Sequence, residues 1–67
     1  MNDKIEIRRC YDLVRKFFND DPQKTILWFN TPNPALASEI PLQMIMKGRV
    51  NKLLKFIKSS IAQNYRL

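Results

Sequence analysis

The chain has 67 residues, with 12 Lys and Arg against 6 Asp and Glu, one Cys and no His. A domain of this length buries only about 60% of its unfolded surface, so contacts with a partner or with a second copy can add much of its stability. A lone Cys cannot form an internal disulfide, and no stretch approaches the roughly 20 apolar residues needed to span a bilayer, so we expect one domain in a reducing, cytoplasmic setting without a membrane partner.

The first helix is predicted over about Asp3 to Phe18, because apolar residues recur there at the spacing of one helical face. We expect this face to be core. Its members are Ile7, Cys10, Tyr11, Val14, Phe17 and Phe18.

A second helix is predicted from Pro22 to Phe29 or Asn30, with Asp21 as its N-cap and Pro22 in its first position. Four consecutive large apolar residues, Ile26 to Phe29, sweep about 300° of this helix. One neighbour cannot cover so wide an arc. Either the helix is central, or one or two of these residues face a partner.

The segment after Trp28 is a predicted stiff corner, because two prolines stand one residue apart in it. Each proline fixes its own φ and favours extended geometry in the residue before it. Asn33 is a good N-cap with Pro34 behind it, so a short helical turn is expected to follow. The corner comprises Trp28, Thr31, Pro32, Asn33, Pro34, Leu36, Pro41 and Leu42.

A short helix is predicted to begin at Pro41, with Leu42 in the core, and Gly48 can break or bend the chain after it. The last helix covers about Arg49 to Ala62, and Phe56 lies off its apolar stripe as a candidate exposed aromatic. That stripe consists of Val50, Leu53, Leu54, Ile57 and Ile61. The fold prediction is all-α, a small bundle of four to five short helices.

We expect three parts in this single domain: an N-terminal helix over 1–20, a core over 21–62 and a frayed tail over 63–67. All acids lie at or before Glu39, and only cations follow. This asymmetry favours an acidic partner, and nucleic acid is a possible but less favoured one.

Catalysis is not expected, because the commonest general base and metal ligand, His, is absent. One Cys without His also excludes the usual structural zinc sites. Asp20 and Asp21 are adjacent, but capping of a helix accounts for them. The sequence therefore predicts no enzyme activity, no cofactor and no bound metal.

The spacing of the corner resembles the C-terminal toxin-binding domain of the Xre/MbcA/ParS antitoxins, which partner RES-domain toxins. The resemblance covers about Ile26 to Ile61. The matching positions are Trp28, Phe29, Thr31, Pro32, Asn33, Leu36, Pro41, Leu42, Met44, Ile45, Val50, Leu53, Leu54 and Ile57. Members commonly have Gly-Gly where this chain has Ala37 and Ser38, so we expect φ values in this loop that need no glycine.

This resemblance implies neutralisation of a toxin that consumes NAD or transfers ADP-ribose, by covering of its active site. Only about 25 residues precede the resembling segment, so operator binding through an N-terminal DNA-binding domain is not expected. The blocking elements would be the outer face of the last helix and the tail. Candidate partner contacts are Arg49, Lys52, Phe56, Asn64, Tyr65, Arg66 and Leu67.

Two alternatives remain open from the sequence. One is a small basic nucleic-acid-binding protein, since most non-specific affinity for nucleic acid is electrostatic. The other is a stand-alone oligomerisation or adaptor module, in which the chain forms a homo-oligomer or binds a partner other than a RES-domain toxin.

Overall fold

The computed structural model describes residues 3–63 and Leu67, and this part of the chain is all-helical, as predicted. In order it contains α1 (Lys4–Phe17), α2 (Pro22–Phe29), a 3₁₀ helix (Pro34–Leu36), α3 (Pro41–Met46) and α4 (Val50–Ala62). The described segments contain no strand, and their one isolated β-bridge joins Asn33 to Glu39. The helix bounds agree with the predicted ones to within a residue or two.

The predicted N-cap of α2 is confirmed. One carboxylate oxygen of Asp21 accepts from the backbone N–H groups of Gln23 and Lys24, at 3.0 and 3.1 Å. The Thr25 hydroxyl, which is fully buried, donates to the Asp21 carbonyl at 2.7 Å. Asp21 therefore satisfies donors that the first turn of a helix leaves without partners.

The core lies mainly between α1 and α4, with α2 and α3 packed beside them. The predicted stripe of α4 is buried at four positions, and Ile61 is half-buried. The buried apolar residues are Cys10, Val14, Trp28, Phe29, Leu36, Met44, Val50, Leu53, Leu54 and Ile57.

The expectation that the whole stripe of α1 is core is wrong at Ile7 and Phe17, whereas Tyr11 and Phe18 are half-buried and pack against the core. Cys10 and Val14 are fully buried, but Ile7 and Phe17 are 38% and 37% exposed. The stripe is longer than the surface that α4 and α2 offer it, so only its middle is enclosed on all sides.

The four consecutive apolar residues of α2 divide into two pairs. Trp28 and Phe29 are buried, whereas Ile26 and Leu27 are 56% and 66% exposed. The helix is therefore not central in the described part of the chain, and two large apolar side chains face outward.

Two further expectations about burial are corrected. Leu42 was expected in the core but is 39% exposed, because Pro41 and Met44 are the residues of α3 that turn inward. Phe56 was expected to be exposed but is half-buried and packs against the core.

The frayed tail over 63–67 stays a prediction, and its last residue has described contacts. Leu67 is half-buried and packs against the core. The predicted contact residues Asn64, Tyr65 and Arg66 lie outside the described residues.

The loop before α3 contradicts the expectation of φ values that need no glycine. Ala37 and Ser38 have φ of 55° and 65°, in the left-handed region that favours glycine. A second pair, Asn19 and Asp20, has φ of 56° and 62° in the turn between α1 and α2. Asn and Asp tolerate this region better than other residues with side chains. The loop that contains Ala37 and Ser38 is therefore the more strained of the two.

Within the described residues, no helix is long and apolar enough to cross a membrane.

Candidate protein-binding surface

The corner is built around the buried indole of Trp28. Its ring packs edge-on against Phe29, with ring centroids 5.0 Å apart and an interplanar angle of 87°. Its Nε1–H donates to the backbone oxygen of Leu67 at 3.1 Å. Trp28 thus joins the corner to the far end of the chain and gives the indole N–H the partner that a buried donor requires.

Local hydrogen bonds close the turn that follows Trp28. The Thr31 hydroxyl donates to the Leu27 carbonyl at 2.6 Å, and Asn33, in extended geometry, accepts at its side-chain oxygen from the Ala35 N–H at 3.0 Å. This confirms Asn33 as the cap of a short helical turn. Pro32 and Pro34 are exposed at the outside of the corner.

The part of the corner that leads into α3 is held by a backbone hydrogen bond and by one ion pair. The Asn33 N–H donates to the Glu39 carbonyl at 3.0 Å, and the Glu39 carboxylate pairs with the Arg49 guanidinium just before α4. Arg49 is half-buried, and its backbone N–H donates to the Met44 carbonyl at 2.8 Å. Arg49, a predicted partner contact, is therefore also part of the internal scaffold.

The outer face of α4 carries an exposed basic stripe, formed by Lys52, Lys55 and Lys58 beside Asn51. Their ammonium groups make no ion pair with any residue in the described part of the chain. Lys52, another predicted contact, is accessible here. Phe56 and Leu67 are half-buried, so only part of each side chain is accessible to a partner.

An apolar groove runs across α1, α2 and α3, and it is not among the surfaces predicted from the sequence. We call it the α1–α3 groove. Its volume is about 220 Å³. It is lined by Ile7, Tyr11, Ile26, Phe29, Asn30, Leu42 and Ile45.

The signal that could have revealed this groove was the unbroken apolar run of α2, which indicated either a central helix or one or two residues that face a partner. Periodicity within each helix could not show that Ile26 meets Ile7 and Leu42 at one place. The α1–α3 groove therefore depends on how three helices pack.

Chemistry-bearing side chains do not gather into a reactive site in the described residues. No group of three or more Cys, Asp or Glu lies close enough together there to hold a metal ion. Burial raises the pKa of the Cys10 thiol from 9.0 to about 11, with a further increase from Glu6 and an opposing effect of Lys58. A neutral, enclosed thiol is a weak nucleophile.

The described part of the chain is thus a small helical domain with two outward surfaces, one basic and one apolar, of the kind that binds another macromolecule. The family model of the antitoxin Xre/MbcA/ParS C-terminal toxin-binding domain matches residues 13–53, more than half of the chain. The chain belongs to this family, and the resemblance in the Trp28–Leu42 corner is confirmed. Neither curated proteins nor solved structures gave a match.

The matched range differs from the expected one of Ile26 to Ile61. It begins inside α1 and ends inside α4, so it contains α2, the corner and α3 completely. Of the basic stripe, it includes Lys52 but neither Lys55 nor Lys58. Five of the seven residues that line the α1–α3 groove lie within it.

Proposed function

We propose that this protein acts by binding rather than by catalysis, and that it neutralises a RES-type toxin that consumes NAD or transfers ADP-ribose by covering the toxin's active site. The family match over residues 13–53 carries this proposal. The structure supports a binding role, because the corner that bears the family spacing is an internal scaffold with stable surfaces on both sides of it.

The covering element would be the outer face of α4 together with the segment that leads to Leu67. Three accessible lysines on one face of a helix complement a cluster of acidic residues on a partner. The Trp28–Leu67 hydrogen bond and the packing of Leu67 against the core fix this residue at the Trp28 corner, so Leu67 itself needs little further ordering on binding.

The test is co-expression with the protein encoded by the adjacent gene. We expect restored growth, a stable 1:1 or 2:2 complex, and suppression of NAD loss when the purified proteins are mixed. A partner that keeps its full NAD-consuming activity in the presence of excess antitoxin would refute the proposal.

The contribution of the basic stripe is tested by Lys52→Glu combined with Lys55→Glu. Lys24→Glu and Lys16→Glu together form a matched control, with the same charge change on exposed positions of α1 and α2. We expect about tenfold or greater loss of affinity for the stripe variant, equivalent to about 1.4 kcal/mol, and a much smaller loss for the control.

Nucleic-acid binding is the second candidate function, and it is favoured by the three lysines of α4, which form no ion pair with a described residue. If Lys52, Lys55 and Lys58 neutralised three phosphates of duplex DNA, the slope of log K against log salt would be about −2.7. Such a slope, together with no complex with the adjacent gene's product, would support this function instead.

A further inference from the structure

The α1–α3 groove has a rigid aromatic floor. The rings of Tyr11 and Phe29 are stacked, with centroids 6.2 Å apart and an interplanar angle of 16°. Phe29 is buried and Tyr11 half-buried, so the floor is held by the core below it. A floor of this kind needs little reordering when a ligand binds, which lowers the entropic cost of binding.

The walls of the groove are large apolar side chains that the described residues leave partly uncovered. Ile7 comes from α1, Ile26 from α2 and Leu42 from α3. Contiguous exposed apolar surface on a small monomeric domain is typical of an interaction site. Its three walls come from different helices, so the patch is a concave surface of the fold rather than one helix face.

The size and chemistry of the groove indicate what it can hold. At about 220 Å³ it is smaller than the roughly 300–1,000 Å³ typical of small-molecule sites, and among the described residues that line it only Asn30 and the Tyr11 hydroxyl offer polar groups. It has few groups with which to orient a metabolite. It is suited to apolar side chains presented by a helix, as in helix-in-groove recognition.

The two rims of the groove differ in charge. On the α1 side, Ile7 and Tyr11 also border a neighbouring groove that is lined by Lys4, Arg8, Asp12 and Arg15. Arg8 forms an exposed ion pair with Asp12 at 3.8 Å, and Arg15 forms one with Asp20 at 3.7 Å, so the cations of this edge exceed the acids beside them by one charge. Exposed pairs of this kind are weak, and an acidic partner can compete for the two guanidinium groups. On the opposite side, the residues one helical turn from Ile26 and Leu42 are uncharged, namely Pro22, Gln23, Asn30, Ile45 and Met46. The groove is therefore basic along one edge only.

This charge distribution argues against a second copy of the chain as the occupant. In a twofold dimer the same patch meets itself, so the basic rim of each copy would lie near that of the other or over an uncharged rim. The chain also has a net charge of +6. A partner with acidic residues along one edge of an apolar stripe complements the groove, whereas a second copy does not.

We propose that the α1–α3 groove is the docking site for an amphipathic helix of the toxin, whose apolar stripe fills the groove and whose acidic residues face α1. This inference rests on the proposed function and adds a second contact, away from the basic stripe of α4. The Tyr11 hydroxyl makes no hydrogen bond with any described residue and stands between the apolar and basic regions, where it can donate to a carboxylate of that helix.

The first experiment compares Ile26→Lys with Leu27→Lys. Both residues are exposed neighbours on α2, but Leu27 lies outside the groove, beside Phe18 and Thr31. Binding to the purified product of the adjacent gene is measured by calorimetry. We expect at least about a tenfold loss of affinity for Ile26→Lys and less than about threefold for Leu27→Lys.

Leu42→Lys is the second groove variant, and circular dichroism verifies that each variant keeps its helical content. Equal affinities for Ile26→Lys, Leu42→Lys and Leu27→Lys would overturn the inference while leaving the proposed function intact. Failure of the unsubstituted protein to bind would instead refute the proposed function. A dimer of this chain that Ile26→Lys dissociates, with toxin affinity unchanged, would also overturn the inference.

The second experiment tests the charge of the occupant with Arg8→Glu, and Arg9→Glu is its control. Because Arg8 pairs with Asp12 within α1, urea unfolding of both variants measures how much stability Arg8→Glu loses through that pair alone. Arg8 lies on the basic rim and Arg9 does not line either groove beside Tyr11. We expect about a threefold to tenfold loss of affinity for Arg8→Glu that shrinks as salt is added, and little change for Arg9→Glu.

A photo-reactive amino acid at position 26 identifies the occupant directly. We expect it to crosslink to a helical segment of the toxin that carries Asp or Glu beside an apolar stripe. A crosslink to a loop, or to a basic helix, would overturn the inference.

Discussion

Replacing Ala37 and Ser38 with glycine should stabilise this protein. Both residues have positive φ, and a left-handed backbone costs an L-residue about 1–2 kcal/mol. Glycine removes that cost but loses about 0.4–1 kcal/mol because its unfolded chain is more flexible. The net gain is therefore about 0.5–1 kcal/mol at each position.

The structure indicates that neither side chain contributes enough to offset this gain. Both are exposed, and the loop is held by backbone groups: the Ser38 N–H donates to the Asn33 carbonyl at 2.9 Å, and the Glu39 N–H to the Leu36 carbonyl at 3.1 Å. Glycine preserves both hydrogen bonds. For a domain of this size, the double variant should raise Tm by about 4–16 °C.

Thermal and urea unfolding followed by circular dichroism measure the effect. Ala35→Gly is the matched control, because Ala35 is also exposed but has negative φ within the 3₁₀ helix. It should lower the free energy of unfolding by about 0.5–1 kcal/mol, through backbone entropy alone. If Ala37→Gly destabilised the protein as much as Ala35→Gly, the reasoning from φ would be refuted.

Three further predictions concern stability. Gly48→Ala should lower the free energy of unfolding by about 0.5–1 kcal/mol, because the cost of a side chain at φ of 76° exceeds the gain from a less flexible unfolded chain, although a Cβ would meet no atom within 4 Å; Gly48→Asn should cost less, and equal losses would contradict this. Asp21→Ala should cost about 1 kcal/mol in urea unfolding, whereas Asp12→Ala, an exposed control within α1, should cost less than about 0.5 kcal/mol. The raised pKa of Cys10 predicts stability that is fully present below pH 9 and lost as pH rises through about 11, because the unfolded thiol ionises first. Cys10→Ala should abolish that dependence, and folded protein at pH 8 should react with a thiol reagent only as fast as it opens.

Much of the helical architecture could be predicted from local chemistry. Asp21 with Pro22, and Asn33 with Pro34, each place a capping oxygen before a residue that cannot donate, so they specify a helix start without reference to the rest of the fold. The stripe of α4 also predicted its buried face, because helical periodicity places Val50, Leu53, Leu54 and Ile57 on one side of the helix.

Burial was predicted less well for residues whose exposure depends on how several helices pack together. Ile26 and Leu27 are as apolar as Phe29, and only the positions of α1 and α3 leave them outside. For this reason Leu42 is more exposed than predicted, and Phe56 is more buried than predicted.

The sequence by itself determined the helices, their caps, the stiff Trp28–Leu42 corner and, through the spacing of that corner, the antitoxin family. Only the tertiary structure decided that Ile7, Ile26 and Leu42 form one apolar groove, that Leu67 returns to Trp28, and that Ala37 and Ser38 take left-handed geometry. The physical reason is that caps and turns depend on neighbours in the chain. Grooves, long-range hydrogen bonds and imposed φ values depend on where distant segments come to lie.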